Sequence, residues 1–216
     1  LTYITKVIRY LIIILIILSG STYVLADLKN NQPLRYVAKP LTTILVILLA
    51  FLQDQGGFDL YKTLIISGLL LSLCGDVFLM LQSDKFTAGL GSFFVAHLFF
   101  IFAFASDFGP YFGLGLLLPA AVYAGVFLWI ILPKTGKLLI PVIVYAVVLL
   151  VFLWQATGRF YYLAGTSALL TFVGAILFVT SDSILGYTRF VRNRRISAFL
   201  IHSTYWSAQV FLALSI

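Results

Sequence analysis

Gly68-Leu-Leu-Leu-Ser72-Leu-Cys74-Gly75-Asp76-Val-Phe-Leu79 decides how this chain is read. The stretch is apolar enough for a membrane-spanning helix, yet one acid, Asp76, lies well inside it. An ionisable group within a span is costly to keep, and such groups mark sites and pathways. A second stretch has the same layout: Gly174-Ala-Ile-Leu-Phe-Val-Thr180-Ser181-Asp182-Ser183-Ile-Leu185. Gly68 and Gly174 are 106 positions apart, and so are Asp76 and Asp182. Downstream, Ser92-Phe-Phe94-Val-Ala-His97 is similar to Ser197-Ala-Phe199-Leu-Ile-His202, at an offset of 105. The chain therefore reads as two copies of one unit, an acidic helix followed by a histidine helix.

Composition sets the class. The 216 residues are 62% hydrophobic and only 10% charged, with a mean hydropathy of +1.10. Soluble domains carry about 25% charged residues, so too few are present here to cover a water-facing surface. The expectation is an all-α integral membrane protein with one transmembrane domain over residues 1–216, and no nucleic-acid partner is implied. Repeat one would cover about 1–106 and repeat two about 107–216. The single cysteine, Cys74, excludes an intramolecular disulfide.

About 20 apolar residues cross the hydrocarbon core as a helix. Eight stretches qualify, running at 7–26, 36–52, 62–82, 86–105, 111–132, 138–156, 160–187 and 196–216. The run from Val7 to Ala26 is too long for a cleavable leader. Lys39-Pro40 is expected in the first turn of the second span, where proline removes no needed amide. Breaks are expected at Asn30-Asn31-Gln32-Pro33, Gly56-Gly57, Asp107-Phe-Gly-Pro110 and Pro133-Lys-Thr-Gly-Lys137.

Basic residues set the orientation. Ten of the 14 fall on the links after odd-numbered spans, including Lys29, Arg35, Lys39, Lys85, Lys134, Lys137 and the cluster Arg189, Arg192, Arg194 and Arg195. The other side holds Lys6, Arg9, Lys62 and Arg159. The odd links are read as cytoplasmic, and the chain as a multi-pass protein of the cell inner membrane if bacterial. Asp76, Asp182 and Lys39 then gather toward the cytoplasmic leaflet. At 1.5 Å per residue, His97 lies roughly 15 Å in and His202 roughly 9 Å in from that side. Spans three and seven are an even number of helices apart, so the repeat would be parallel.

These polar residues carry the candidate chemistry. Two buried carboxyls that face each other do not both ionise, so one can hold a proton as general acid while its partner is a carboxylate. Ser72 shares a helix face with Asp76, and Ser183 follows Asp182; both are expected to hydrogen-bond the acids. Neither sits in a Gly-x-Ser-x-Gly elbow, which argues against a serine nucleophile. His202, Tyr205 and Gln209 form a polar stripe on the last span, suited to lining a pocket or joining helices. Lys39 suits a phosphate or one of the acids. A metal held by the two His and two Asp is a weaker alternative, for no local ligand spacing supports it.

The chain resembles the YhhN family, the lysoplasmalogenases. The matching pieces are Lys39-Pro40-Leu-Thr-Thr43, Ser72-Leu-Cys-Gly75-Asp76-Val-Phe-Leu, Phe86-x-x-Gly89-x-x-Ser92-Phe-x-x-Ala-His97, Phe178-x-x-Ser181-Asp182-Ser183 and Thr204-Tyr205-x-x-Ala208-Gln209. Each is short, but together and in order they cover Tyr36 to Gln209. The resemblance implies a hydrolase of the vinyl ether bond of lysoplasmalogens. It would release a fatty aldehyde and glycerophosphoethanolamine or glycerophosphocholine. Such a bond hydrolyses by protonation of the outer alkenyl carbon, and two carboxyls can serve it much as they serve glycoside hydrolysis. Asp76 and Asp182 are the expected catalytic pair, with Asp76, the deeper of the two, as the acid. Lys39, Ser72, His97, Ser183, His202, Tyr205 and Gln209 would bind substrate. No metal or organic cofactor is needed, and the partners are a lysophospholipid and the membrane. A transporter or channel using the same acids, or a metal-dependent lipid hydrolase, are the rival readings.

The orientation is testable by thiol labelling of intact cells after Cys74→Ser. An impermeant reagent should label Gly56→Cys and spare Gly136→Cys; the reverse pattern would overturn the assignment.

Overall fold

A computed structural model describes residues 2–53, 59–81, 83, 85–111, 113–115, 117–192 and 196–216, the side chains of Thr2 and Phe108 excepted. The expected break at Gly56-Gly57, Gln82, and the basic residues Arg194 and Arg195 lie outside the described residues. Regular structure among the described residues is entirely helical: α1 (Thr2–Leu28), α2 (Gln32–Phe51), α3 (Leu60–Met80), α4 (Phe86–Phe108), α5 (Leu117–Ile131), α6 (Leu139–Leu163), α7 (Thr166–Phe190) and α8 (Ser197–Leu214). Two short 3-10 turns, Leu132–Lys134 and Gly136–Leu138, join α5 to α6, at the break that Pro133 and Gly136 predict.

Among the described residues, seven helical stretches are long and apolar enough to cross a membrane: α1 to α4, α5 with the 3-10 turn that follows it (Leu117–Lys134), α6 with the one that precedes it (Gly136–Leu163), and α7. The chain is an integral multi-pass membrane protein. Large apolar side chains such as Trp129, Leu118, Phe102 and Ile17 stand exposed on the outer faces, where lipid replaces water as the solvent. The eighth helix has 18 residues but falls outside that group, because His202, Thr204, Tyr205 and Gln209 interrupt its apolar run. It is held by packing, chiefly on α7 and also on α1, α2 and α3. The helices α3 and α4 pack closely, as do α7 and α8. In the first pair, a side chain on Gly75 would come within 2.6 Å of the Phe93 ring. In contrast, α5 packs mainly on α6 and α7 and buries little of itself.

Two boundaries differ from expectation. Asn31 caps α2 by accepting from Leu34 N at 3.2 Å, and Pro33 sits in its first turn. The helix therefore starts early and Pro40 lies inside it, where it removes one amide from the ladder. Residues Asp27 and Arg35 are consequently helical and not part of a loop. The second difference is at Thr157-Gly158-Arg159, expected as the link between spans six and seven. The helix α6 runs through it to Leu163, and the chain reverses at Ala164, whose φ is 44°. Tertiary contacts override the local signal there. Gly158 lies against Tyr111, and Arg159 is buried in a polar knot.

Arg159 was expected as an external charge that sets topology. It donates from Nε and Nη2 to Asp107 Oδ2 at 3.0 and 2.6 Å and to Thr171 and Ser167 at 2.9 and 3.0 Å. Its guanidinium also lies 4.5 Å over the Tyr61 ring, and Tyr61 in turn bonds Ser215 at 2.7 Å. Nearby, Arg9 donates to Leu52 O at 2.6 Å and Lys62 to Phe51 O at 3.1 Å. Cations thus close the carboxyl end of α2, where the helix dipole favours them. This end of the bundle is pinned, and the site lies at the other.

Arg159→Leu strands Asp107 and unties α4, α6 and α7, so unfolding in detergent should show a loss of about 2–4 kcal/mol. Unchanged stability would contradict this role.

Candidate active site

Lys39 and Thr43 are four residues apart on α2 and share one face. Both turn toward Asp76 on α3. Lys39 Nζ lies 3.2 Å from Asp76 Oδ1, with each side chain at most 5% exposed. Thr43 Oγ1 donates to Asp76 Oδ2 at 2.7 Å, and Tyr205 OH from α8 donates to the same oxygen at 2.9 Å. Trp206 Nε1 donates to Thr43 Oγ1 at 3.3 Å, fixing that hydroxyl. One cation and two hydroxyl donors therefore surround one carboxyl. A buried charge is tolerated in this way, through a counter-ion plus hydrogen bonds to its remaining lone pairs.

Asp182 is held differently. Its Oδ2 accepts from Tyr145 OH of α6 at 2.5 Å, and no cation among the described residues pairs with it. It is only partly buried. Both acids line one polar cavity of about 830 Å³ at the end of the bundle where α1, α3 and α7 finish. Tyr23, Asp27, Arg35, Lys39, His202 and Tyr205 share its wall. A narrow apolar slot runs between α4, α5, α6 and α7, lined among others by Phe86, Phe127, Leu149 and Leu153. Asp182, Leu79, Phe93 and Leu185 belong to both spaces. Asp182 thus stands where a polar chamber meets an apolar one.

The other expected site residues divide. Lys39, Tyr205 and His202 are on the cavity wall. The His202 ring stacks on Trp206 at 5.0 Å and meets Tyr23 edge-on at 4.4 Å. It also borders an apolar groove of about 570 Å³ between α1 and α8. Ser72 does not bond Asp76, contrary to expectation. Its hydroxyl is buried without a partner among the described residues, and the carboxyl is instead met from α2 and α8. Ser183 does not bond Asp182 either. It donates back to Val179 O at 2.7 Å and accepts from Tyr123 at 2.8 Å.

His97 lies in neither space. Its Nδ1 donates to Phe93 O at 2.7 Å, and its ring sits among Tyr145, Phe152 and Phe178. Gln209 is fully buried one turn beyond Tyr205, and neither amide atom has a protein partner. His97 and His202 thus have separate surroundings, and no group of three or more His, Cys, Asp or Glu gathers among the described residues. Thr43, Tyr145, Arg35 and Asp27 are the residues that sequence reasoning passed over as site residues. Thr43 was findable from its spacing to Lys39; Tyr145 carries no local signal.

A cavity with two carboxyls in unlike company, joined to an apolar slot, suits acid-base chemistry on an amphiphile. The family model described as the YhhN family matches residues 34–216. Over 182 residues the chain is 28% identical to a protein of Escherichia coli O6:H1 named uncharacterized membrane protein YhhN, covering 84% of this chain and 86% of that one. Over 199 residues it is 29% identical to the Sus scrofa protein named lysoplasmalogenase TMEM86B, covering 91% and 82%. The Rattus norvegicus protein of that name is 29% identical over 201 residues, covering 92% and 81%. No solved structure matches the chain.

The Asp76 network makes a stability prediction. Thr43→Val removes a buried donor to a charged acceptor and should cost about 1.5–3 kcal/mol. Tyr123→Phe, at an exposed hydroxyl, should cost under about 0.5 kcal/mol. Equal losses in thermal unfolding would contradict the network.

Proposed function

This chain belongs to the YhhN family, and from that premise we propose that it is a lysoplasmalogenase-type membrane hydrolase that cleaves the vinyl ether bond of an alkenyl-lysophospholipid. The observation that carries the reading is Asp182 at the junction of the polar cavity and the apolar slot. A lysoplasmalogen has its reactive bond at the corresponding point, between a polar head and a hydrocarbon tail. Relatives named lysoplasmalogenase, at 29% identity over most of both chains, support the same class.

The partners of the two acids divide their roles. Asp76, with Lys39 and two hydroxyl donors, is the carboxylate. Asp182, with one phenol, holds the proton. This reverses the assignment drawn from depth alone, since counter-charge and hydrogen bonds outweigh depth in deciding which carboxyl ionises. Asp182 delivers its proton to the outer alkenyl carbon, and an oxocarbenium ion forms at the carbon bonded to oxygen. The Asp76 carboxylate stabilises that cation across the cavity. Water adds to the cation and returns a proton to Asp182. The hemiacetal then collapses: its hydroxyl proton moves to the glycerol oxygen, the carbon–oxygen bond breaks, and aldehyde and glycerophospholipid head separate.

We also infer that α8 makes an eighth crossing, that the cavity opens toward the cytoplasmic leaflet, and that α3–α4 and α7–α8 descend from one parallel repeat. The direct test is aldehyde release from alkenyl-lysophosphatidylethanolamine by purified protein. Asp182→Asn should lower kcat by about 10²–10⁴, the usual worth of a general acid. Asp76→Asn should lower it comparably. The saturated alkyl ether should not be cleaved. Undiminished release by Asp182→Asn would overturn the mechanism, and no release by the unaltered protein would overturn the activity.

A further inference from the structure

We propose that the Asp27–Arg35 pair at the mouth of the polar cavity is a head-group site for a zwitterionic phospholipid, with Arg35 taking the phosphate and Asp27 a primary ammonium. The inference rests on the hydrolase reading for the position of the ether bond.

The pair is built and reachable. Asp27 stands in the last turn of α1 and Arg35 in the first turn of α2. Arg35 Nη2 lies 3.1 Å from Asp27 Oδ1, with side chains 36% and 21% exposed. Both line the cavity that holds Asp76 and Asp182. The helix register sets the spacing. Arg35 is four residues before Lys39 on α2, so it lies about 6 Å nearer the mouth than the catalytic level. In the substrate five bonds separate the ether oxygen from phosphorus. Three extended backbone bonds span at most about 3.6 Å, so five reach about 6 Å. With the ether at the carboxyls, the phosphate falls at Arg35. The amine, four bonds further, falls at Asp27.

Charge selects the class of head. The Asp, Lys and Arg residues lining the cavity, among those described, are Asp27, Arg35, Lys39, Asp76 and Asp182. Lys39 is engaged by Asp76 and Asp182 is the protonated acid of the proposed mechanism, which leaves one cation and one anion at the mouth. A zwitterion replaces each member of that pair with a like charge: phosphate takes the planar fork of Arg35, and ammonium takes the carboxylate of Asp27. A head with a net negative charge leaves Asp27 facing a second anion. The kind of ammonium follows too. A primary ammonium offers three donors to a carboxylate. A trimethylammonium offers none and prefers open aromatic faces. Tyr23, one turn below Asp27, is buried, with its ring in T-shaped contact with His202 and Trp206, and so offers no open face. The site therefore favours ethanolamine over choline.

The test measures binding, apart from turnover. Radiolabelled saturated alkyl ether lysolipids with phosphoethanolamine, phosphocholine and phosphoglycerol heads are bound to the purified full chain in detergent. Ethanolamine should bind about tenfold tighter than choline, about 1.4 kcal/mol, with glycerol weakest. Asp27→Asn should bring the first two within about twofold, and Asp27→Glu should keep their order, since a charge-assisted bond is about twice as strong as a neutral one. Arg35→Gln should weaken all three about tenfold, the loss of one such bond. Equal binding of the three heads, or an ethanolamine preference that survives Asp27→Asn, would overturn the site. A change confined to melting temperature in Asp27→Asn would reduce the pair to a staple between α1 and α2, and overturn it equally. Head-ordered binding without aldehyde release would support this site and overturn the hydrolase reading; aldehyde release with no head order would do the opposite.

Discussion

The Lys39–Asp76 ion pair is the constraint on which the rest of the structure depends. A carboxyl with 1% exposure inside an apolar helix keeps its charge only when a cation and donors are brought to it. That requirement draws three helices together: α2 supplies Lys39 and Thr43, α3 the acid, and α8 Tyr205. It also accounts for part of the composition of α8. Of the polar residues that dilute its hydropathy, His202 and Tyr205 line the cavity and Tyr205 bonds Asp76, whereas Thr204 bonds its own helix backbone. The opposite end of the bundle is fixed by its own knot around Arg159. The cavity therefore opens from a scaffold that is tied at its base.

From this pair follows the asymmetry of the two acids. Two acids in similar local sequence, 106 residues apart, have unlike surroundings. One carboxyl is compensated by Lys39, Thr43 and Tyr205; the other has a single tyrosine, on the border between polar and apolar space. A symmetric pair would repel in a dry site. In the proposed mechanism, unequal company gives each a separate task, the same logic by which paired carboxyls divide acid and nucleophile roles in glycoside hydrolysis. The thinly buried α5, on the outer wall of the slot, leaves that side of the apolar space thinly enclosed.

Much of this was legible in the sequence. Composition and span length gave a polytopic helical protein. The rarity of charge in apolar stretches singled out Asp76, Asp182 and Lys39, and the polar stripe on α8 picked out Tyr205. Local signals failed where long-range contacts decide. Thr157-Gly158-Arg159 has the composition of a link, yet Tyr111 and Asp107 draw it into α6. Pro40 reads as a helix start because Asn31 and Pro33, the true start, look like a loop. The two histidines follow similar local sequence but differ in environment: His97 is enclosed by aromatic rings, and His202 reaches the cavity. Tyr145, the sole side-chain partner of Asp182 among the described residues, sits on a helix whose neighbours sequence periodicity does not name. Asp27 was legible only as part of the first polar link, and its pairing with Arg35 only once the helices closed around them.

The proposed mechanism requires the two carboxyls to be in different charge states at neutral pH. Infrared spectroscopy of the purified protein reads this directly, through the C=O stretching band of a protonated carboxylic acid. The account predicts that band in the unaltered protein, its loss in Asp182→Asn and its persistence in Asp76→Asn. A band absent from the unaltered protein, or one lost only in Asp76→Asn, would contradict it.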